Sequence, residues 1–292
     1  MTKVEQAKAS REHRYEALTW PELDEAIAQA KVIVLPVGST EQHGHHLPQD
    51  VDTRLASAVA YEAGRRAAGQ VLVMPPVSYG YTHHVMDFPG TINIEPSTFV
   101  RFLLDITRSV AYHGFKRIII LNGHGSNHPL VEQAGRQTNL QTDALCLTLS
   151  WWNLISDYWN TEVRTSVIPG GCAHACELET SMYLHIDGDS VRVDRTAGDL
   201  PDYMKLPGGE KWQYVDLTAG SGPATIVDWT SSYSDSGAFG EPQKASAEKG
   251  KLVFERAVGE LVDLVGWFQK RETLPRRSKH ARSPSFPLPF KF

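Results

Sequence analysis

Lys31-Val32-Ile33-Val34-Leu35-Pro36-Val37-Gly38 runs straight into Ser39-Thr40-Glu41-Gln42-His43-Gly44-His45-His46-Leu47-Pro48-Gln49-Asp50-Val51-Asp52. The first half is a short apolar run without polar alternation, the pattern of a parallel strand buried on both faces. The second half places one Glu, three His and two Asp in the twelve positions from Glu41 to Asp52. In open α/β sheets, ligands bind just outside the carboxyl ends of the strands. Glu41 and His43 are two apart, so in extended backbone both point the same way. Gly44 and Pro48 bend the chain, which lets Asp52 return to the same point. Carboxylates and imidazoles together are the donor set of a borderline divalent cation such as zinc, manganese or iron. For any one of these residues alone a solvated loop is the plainer reading; their concentration at a strand end favours a site.

Outward from this stretch, strand and helix patterns alternate. Tyr15 to Ala30 reads as a short helix, with Thr19-Trp20-Pro21-Glu22 as its N-cap, early proline and acidic first turn. Asp52 to Ala68 has helical spacing through Leu55, Val59, Ala60 and Ala63. Val71 to Pro75 reads as a second strand, Ser97 to His113 as a helix and Phe115 to Leu121 as a third strand. Asn122-Gly123-His124-Gly125-Ser126-Asn127 follows, a glycine-rich turn that lets backbone approach a ligand; Asn127 is placed to cap a helix starting near Pro129. Thr142 to Ser150 reads as a fourth strand. The alternation predicts an α/β fold, a central mostly parallel sheet with helices on both faces.

The bulk properties narrow the class. A chain of 292 residues with 41% hydrophobic and 22% charged residues builds a full core. A net charge of -5 gives no global signal for nucleic acid. No apolar run reaches the length of a membrane span, and Met1-Thr2-Lys3-Val4-Glu5-Gln6 has no signal-peptide core. Cys146, Cys172 and Cys176 make no disulfide framework, so a reducing, cytoplasmic location is expected. Residues 1–14 read as a charged, loosely held extension, 15–272 as one domain, and 273–292 as a basic, proline-rich tail. No phosphate loop, dinucleotide fingerprint or serine nucleophile elbow is present.

In the second half, Trp151, Trp152, Tyr158 and Trp159 read as core or interface. Trp152 is also a candidate for a substrate pocket, with Tyr81 and His84 from the turn-rich Tyr79 to Thr91 segment. Gly170-Gly171-Cys172-Ala173 leads into His174-Ala175-Cys176-Glu177-Leu178-Glu179-Thr180-Ser181-Met182-Tyr183-Leu184. Read as a helix, this puts His174, Glu177 and Ser181 on one face. Glu179 would point elsewhere, so Glu177 is the expected metal ligand and Glu179 at most a supporting residue behind it. Cys172-x3-Cys176 alone is too weak for a zinc site. Residues 187–245 are polar, glycine-rich and hard to assign, and Ala245 to Glu272 reads as a long closing helix.

Three separated segments now match one pattern. Val37 to Pro48 with Asp52-Thr53, Asn122 to Asn127, and His174 to Ser181 resemble the creatininase (creatinine amidohydrolase) family. Phe88-Pro89-Gly90-Thr91, Gly237-Ala238-Phe239-Gly240 and Ala245 to Gly250 resemble that family's loops, so the match spans about residues 15 to 270. The resemblance implies an α/β hydrolase with two divalent metal ions and a homo-oligomeric, often hexameric, assembly. It implies Glu41, Asp52 and His124 around one metal, His43 and a bridging Asp52 around the other, and His174 as the proton-transfer residue. In creatininase proper a carboxylate from the 122–127 segment completes the second site. Ser126 stands there in this chain, and the resemblance points instead to the first Glu of the third motif, Glu177. The tryptophan–aspartate pair before the catalytic histidine is also absent; Pro169-Gly170-Gly171-Cys172 replaces it, which implies a relative with another substrate.

The expected function is metal-dependent hydrolysis of a small polar substrate, a cyclic amide or formamide. One alternative is hydrolysis of a cyclic diketone sugar or inositol at a C–C bond. The other is a non-catalytic metal-binding relative.

Overall fold

The computed structural model describes residues 8–200, 209–275 and 277–283. Four strands form the central sheet: β1 (Val32–Val37), β2 (Val71–Val73), β3 (Arg117–Asn122) and β4 (Leu145–Ser150). Their order is β2-β1-β3-β4, and every pairing is parallel. The helices that follow the strands are the crossovers such pairing requires. They are α2 (Val51–Arg66), α3 (Pro96–Tyr112) and α4 (His128–Gln141); α1 (Trp20–Ala28) precedes β1, and α5 (Glu177–Asp187) and α6 (Ala247–Lys270) come after β4.

Strand alternation divides the core between the two faces. Val32, Val34, Ile119 and Leu121 pack with α2, α5 and α6. Ile33, Leu35, Val37, Ile118 and Ile120 pack with α1, α3 and α4. Every residue of β1 is buried, as its unbroken apolar run required. Each such side chain contributes about 1.5–3 kcal/mol through burial. Gly250 lets α6 lie against α5: a Cβ there would meet the Ser181 carbonyl oxygen at 1.9 Å.

The entry to the sheet differs from the sequence expectation. Tyr15 to Ala30 is not one helix: a 3₁₀ turn at Tyr15–Ala17 is followed by extended Leu18 and Thr19 before α1. Glu22 accepts from the Thr19 backbone N–H and hydroxyl, and this fixes the start of α1. Residues 8–14 are not a loose extension. Ala9 is buried, the Val73 amide donates to the His13 carbonyl at 2.7 Å, and Lys31 Nζ donates to the Glu12 carbonyl at 3.0 Å. The segment covers the outer edge of β2, whose backbone groups would otherwise lack partners. Residues 1–7 lie outside the described part.

Just before α5, β5 (Cys172–His174) pairs with β6 (Phe239–Gly240) from beyond that helix, antiparallel and with a register shift between Cys172 and His174. Of the basic tail, residues 273–275 and 277–283 are exposed and without regular structure; Arg276 and 284–292 lie outside the described part. No helix among the described residues is long and apolar enough to cross a membrane.

Candidate metal centre

The site lies past the carboxyl ends of β1 and β3. After β1 the chain stays extended, so Glu41 and His43 enter the interior together, 1% and 0% exposed. Gly44, with φ +65°, reverses the chain, and α2 then starts at Val51 with Asp52 in its first turn. The positive end of the helix faces that carboxylate. Gly123 makes the approach possible: a Cβ there would meet the Asp52 carbonyl at 2.1 Å. Backbone proximity therefore brings Asp52 under the β3 turn that carries His124.

These residues form overlapping groups. Ligating atoms of Glu41, Asp52 and His124 lie within 4.8 Å of one another, as do those of His43, Asp52 and Glu179, and of Glu41, His43 and His174. Asp52 turns one oxygen to each of two groups: Oδ2 is 3.1 Å from His124 Nδ1, and Oδ1 is 3.2 Å from His43 Nε2. Glu41 Oε1 is 3.3 Å from His124 Nδ1 and 3.4 Å from His174 Nδ1. Glu179 Oε1 is 3.9 Å from His43 Nε2.

Hydrogen bonds set the ring tautomers. His124 Nε2 lies 3.0 Å from the Tyr81 carbonyl, which can only accept. His43 Nδ1 faces the Glu41 carbonyl in the same way, at 3.3 Å. In the neutral rings the bare nitrogens, His124 Nδ1 and His43 Nε2, therefore point at carboxylate oxygens. Lone pair against lone pair is repulsive unless a cation stands between them. His43 Nε2 and Asp52 Oδ2 are buried and make no hydrogen bond among the described residues, an expensive arrangement for any other purpose.

Titration in the absence of a metal reports the same electrostatics. Burial pushes the His43 ring down, but Asp52, Glu179 and Glu41 prevail and raise it to about 9. His124 is likewise raised well above its ordinary value by Glu41 and Asp52 against burial. Burial acts to raise Glu41, yet His124, His174 and His43 hold it below the usual carboxylate range. Glu179 is pushed up to about 7, by burial first and then by Asp52 and Glu41 against the His43 charge. His174 is lowered to about 4 by burial and by the neighbouring His43.

The third segment departs from the sequence expectation. His174 is not helical; it ends β5, Ala175 adopts φ +49°, and α5 begins only at Glu177. The helical face that joined His174 to Glu177 does not exist. Glu177 turns away from the cluster: it accepts from the Thr165 and Ser166 amides and the Thr165 hydroxyl, and it pairs with Lys249. Glu179, expected to point elsewhere, faces the cluster instead. It stands three residues after the cap of α5, and its Oε2 accepts from the Cys176 amide at 3.3 Å. This is the reach-back of a capping box, and it leaves Oε1 toward His43. The signal was present as Cys176-x-x-Glu179, obscured because cysteine is not a usual cap.

Other expected residues divide. Tyr81 meets the site through its backbone, with its carbonyl on His124 and its amide donating to Asn127 Oδ1 at 2.9 Å. Asn127 does not cap α4 with its side chain; Nδ2 donates to the Gly38 carbonyl at 3.0 Å, tying three loops together. His84 is half-buried, and its Nδ1 makes no hydrogen bond among the described residues; burial lowers its pKa against the pull of Glu41. Trp152 is buried beside Trp151 in the apolar cluster, with the ring centroids 5.8 Å apart, because the turn after β4 packs toward α6. Two neighbours had no sequence signal. Thr82 Oγ1 donates to Glu41 Oε2, and Gln42 Nε2 lies 3.0 Å from His174 Nε2 while donating to the Gly237 carbonyl at 2.8 Å.

An open parallel sheet with buried carboxylates and imidazoles at its strand ends defines an α/β protein built around a polar centre. The family described as creatinine amidohydrolase matches residues 16–265, and the chain belongs to this creatininase family, whose named relatives are hydrolases. It is 30% identical to the creatinine amidohydrolase of Pseudomonas putida over 270 residues, covering 85% of this chain and 94% of that protein. It is 31% identical to the mycofactocin precursor peptide peptidase of Mycobacterium ulcerans, covering 85% of each. It is 27% identical to the 3-dehydro-scyllo-inosose hydrolase of Thermotoga maritima, covering 86% of this chain and 82% of that protein. A crystal structure of creatininase superposes with TM-score 0.76 at 26% identity, over 90% of this chain and 100% of that one. Zinc–zinc and manganese forms of creatininase superpose at TM-score 0.74 and 27% identity, over 89% and 88% of this chain and 99% and 98% of theirs. Similarity to proteins of such different substrates makes this chain a relative of creatininase rather than creatininase itself.

Proposed function

We propose that this chain is a two-metal hydrolase acting on an amide-type C–N bond of a small polar substrate. The observation that carries this reading is Asp52, a buried carboxylate with each oxygen turned to a separate group of donors. Glu41, Asp52 and His124 would hold one ion, and His43, Asp52 and Glu179 the other. Three negative charges against four positive ones suit a buried site better than three carboxylates alone. A bound pair of divalent ions supplies Lewis-acid activation of water and of a carbonyl. The Tyr81 and Glu41 carbonyls hold the two ligand imidazoles in the tautomer that leaves the inner nitrogens bare. His174 stays neutral near pH 7, and its Nδ1, turned to the cluster, takes up a proton and returns it to the leaving group. The Gln42 carbonyl, 2.8 Å from His174 Nε2, holds the ring in place.

The test is metal analysis with a substrate panel. The purified protein should carry two equivalents of zinc, manganese or iron and hydrolyse lactams, formamides or short peptides in a chelator-sensitive way. Less than about one equivalent after reconstitution, or turnover indifferent to chelator, would sink the reading. A second reading, C–C hydrolysis of a cyclic keto-inositol, is favoured by His84, whose Nδ1, without a hydrogen bond among the described residues, suits a polyol hydroxyl, and by the similarity to the Thermotoga hydrolase. Keto-inositols belong in the same panel, and turnover confined to amides removes this second reading. The homo-oligomer that the family resemblance implies is checked by light scattering.

A further inference from the structure

The geometry points to Cys172 and Cys176 as a reversible disulfide site that clamps the turn carrying His174. The two sulfurs are 3.0 Å apart, both residues are 0% exposed, and both thiols are free. A disulfide needs about 2.05 Å, so a movement of roughly one ångström closes the bond.

The backbone keeps the pair opposed. The Leu217 amide donates to the Cys172 carbonyl at 2.8 Å, and the Thr180 amide donates to the Cys176 carbonyl at 2.9 Å. Between them lie the register shift of β5 and the left-handed Ala175. A non-glycine residue in that conformation persists only where its surroundings impose it, and such residues gather at functional sites. The third cysteine, Cys146, lies in β4 with the core of the opposite sheet face, so the pair has no competing sulfur on its own side.

The oxidant of the proposed step is hydrogen peroxide, and the side chain of His174, between the two cysteines in the chain, is 18% exposed. One thiol sulfur attacks a peroxide oxygen, the O–O bond breaks, and the other oxygen leaves as water with the thiol's proton, so that a sulfenic acid is formed. The second sulfur attacks that sulfur, the S–S bond forms, and the oxygen departs as a second water with the remaining thiol proton. Two electrons pass from the sulfur pair to the peroxide. The new ring encloses His174 and joins the cap of α5, the helix that carries Glu179. This chemistry does not depend on which cation the cluster holds.

The experiment uses the full chain, reduced, freed of reductant and exposed to a modest excess of hydrogen peroxide. It is then denatured, treated with iodoacetamide and read by peptide mass spectrometry. The expected product carries label on Cys146 alone, with the single peptide that holds Cys172 and Cys176 unlabelled and two hydrogens lighter; dithiothreitol restores all three labels. Cys146→Ser should give the same cross-link, and Cys172→Ser should give none. The oxidised protein should melt a few degrees above the reduced form, since the ring restricts the unfolded chain. Label on all three cysteines, sulfinic acid without a cross-link, or a bond to Cys146 would overturn the site. A cross-linked protein with an unchanged or lower melting temperature would overturn the clamp. The wild-type labelling decides even where Cys172→Ser fails to fold.

Discussion

Of the three segments that deliver side chains to the cluster, the first and the last do so by different physics. Glu41 to Asp52 is an extended strand end followed by a reversal and a helix start. In extended backbone, residues two apart share a side, so Glu41 and His43 arrive together. His174 to Glu179 is a strand end, one left-handed residue and a capped helix. There the direction of each carboxylate is set by its place in the first turn: Glu177 at the first helical position turns to Lys249 and the 165–166 turn, and Glu179 at the third reaches back to the cap. The comparison teaches that position relative to a helix cap outweighs helical periodicity within the first turn.

The comparison breaks most visibly at Asp52, where the two segments meet. Asp52→Ala should lose both metal equivalents by elemental analysis, because a bridging carboxylate offsets the repulsion between two cations. Retention of both would show two independent sites. A smaller loss is expected at Glu179. Glu179→Gln should retain one equivalent of two, whereas Glu177→Gln should retain both. The reverse pattern would restore the single-face helical reading and remove the cap argument.

His174→Ala should leave the metal content unchanged and lower turnover by roughly 10²–10⁴-fold, the range for a lost general acid or base. Parallel loss of metal would make His174 a ligand, as its proximity to Glu41 and His43 allows.

The smallest effect sharpens the role of Glu177. Burial raises its carboxyl, but Lys249, Ser166 and Thr165 prevail and hold it below the ordinary glutamate range. A lowered carboxyl stabilises the fold above its unfolded pKa, and that stabilisation is lost as pH falls through the folded value. Glu177→Gln should therefore cost about 1–3 kcal/mol at neutral pH, measured by urea unfolding. The gap to wild type should shrink in acid; a gap that does not change with pH would mean that the charge of Glu177 contributes nothing.

The sequence by itself determined the parallel sheet, the helices on both faces and the segments that surround the site. Those follow from local period: an unbroken apolar run is a buried strand, and Leu55, Val59 and Ala63 recur as one helical face. It also determined that Glu41, His43 and Asp52 converge, because extended backbone, a glycine reversal and a helix start are all local. Only the tertiary structure decided which glutamate follows them. Its direction depends on Ala175 adopting a left-handed conformation, on β5 pairing with β6 more than sixty residues away, and on Lys249 of α6 drawing Glu177 aside. Trp152 was settled in the same way, by the closing helix packed over the turn after β4. These are contacts between distant segments, and periodicity in one stretch carries no information about what another brings against it.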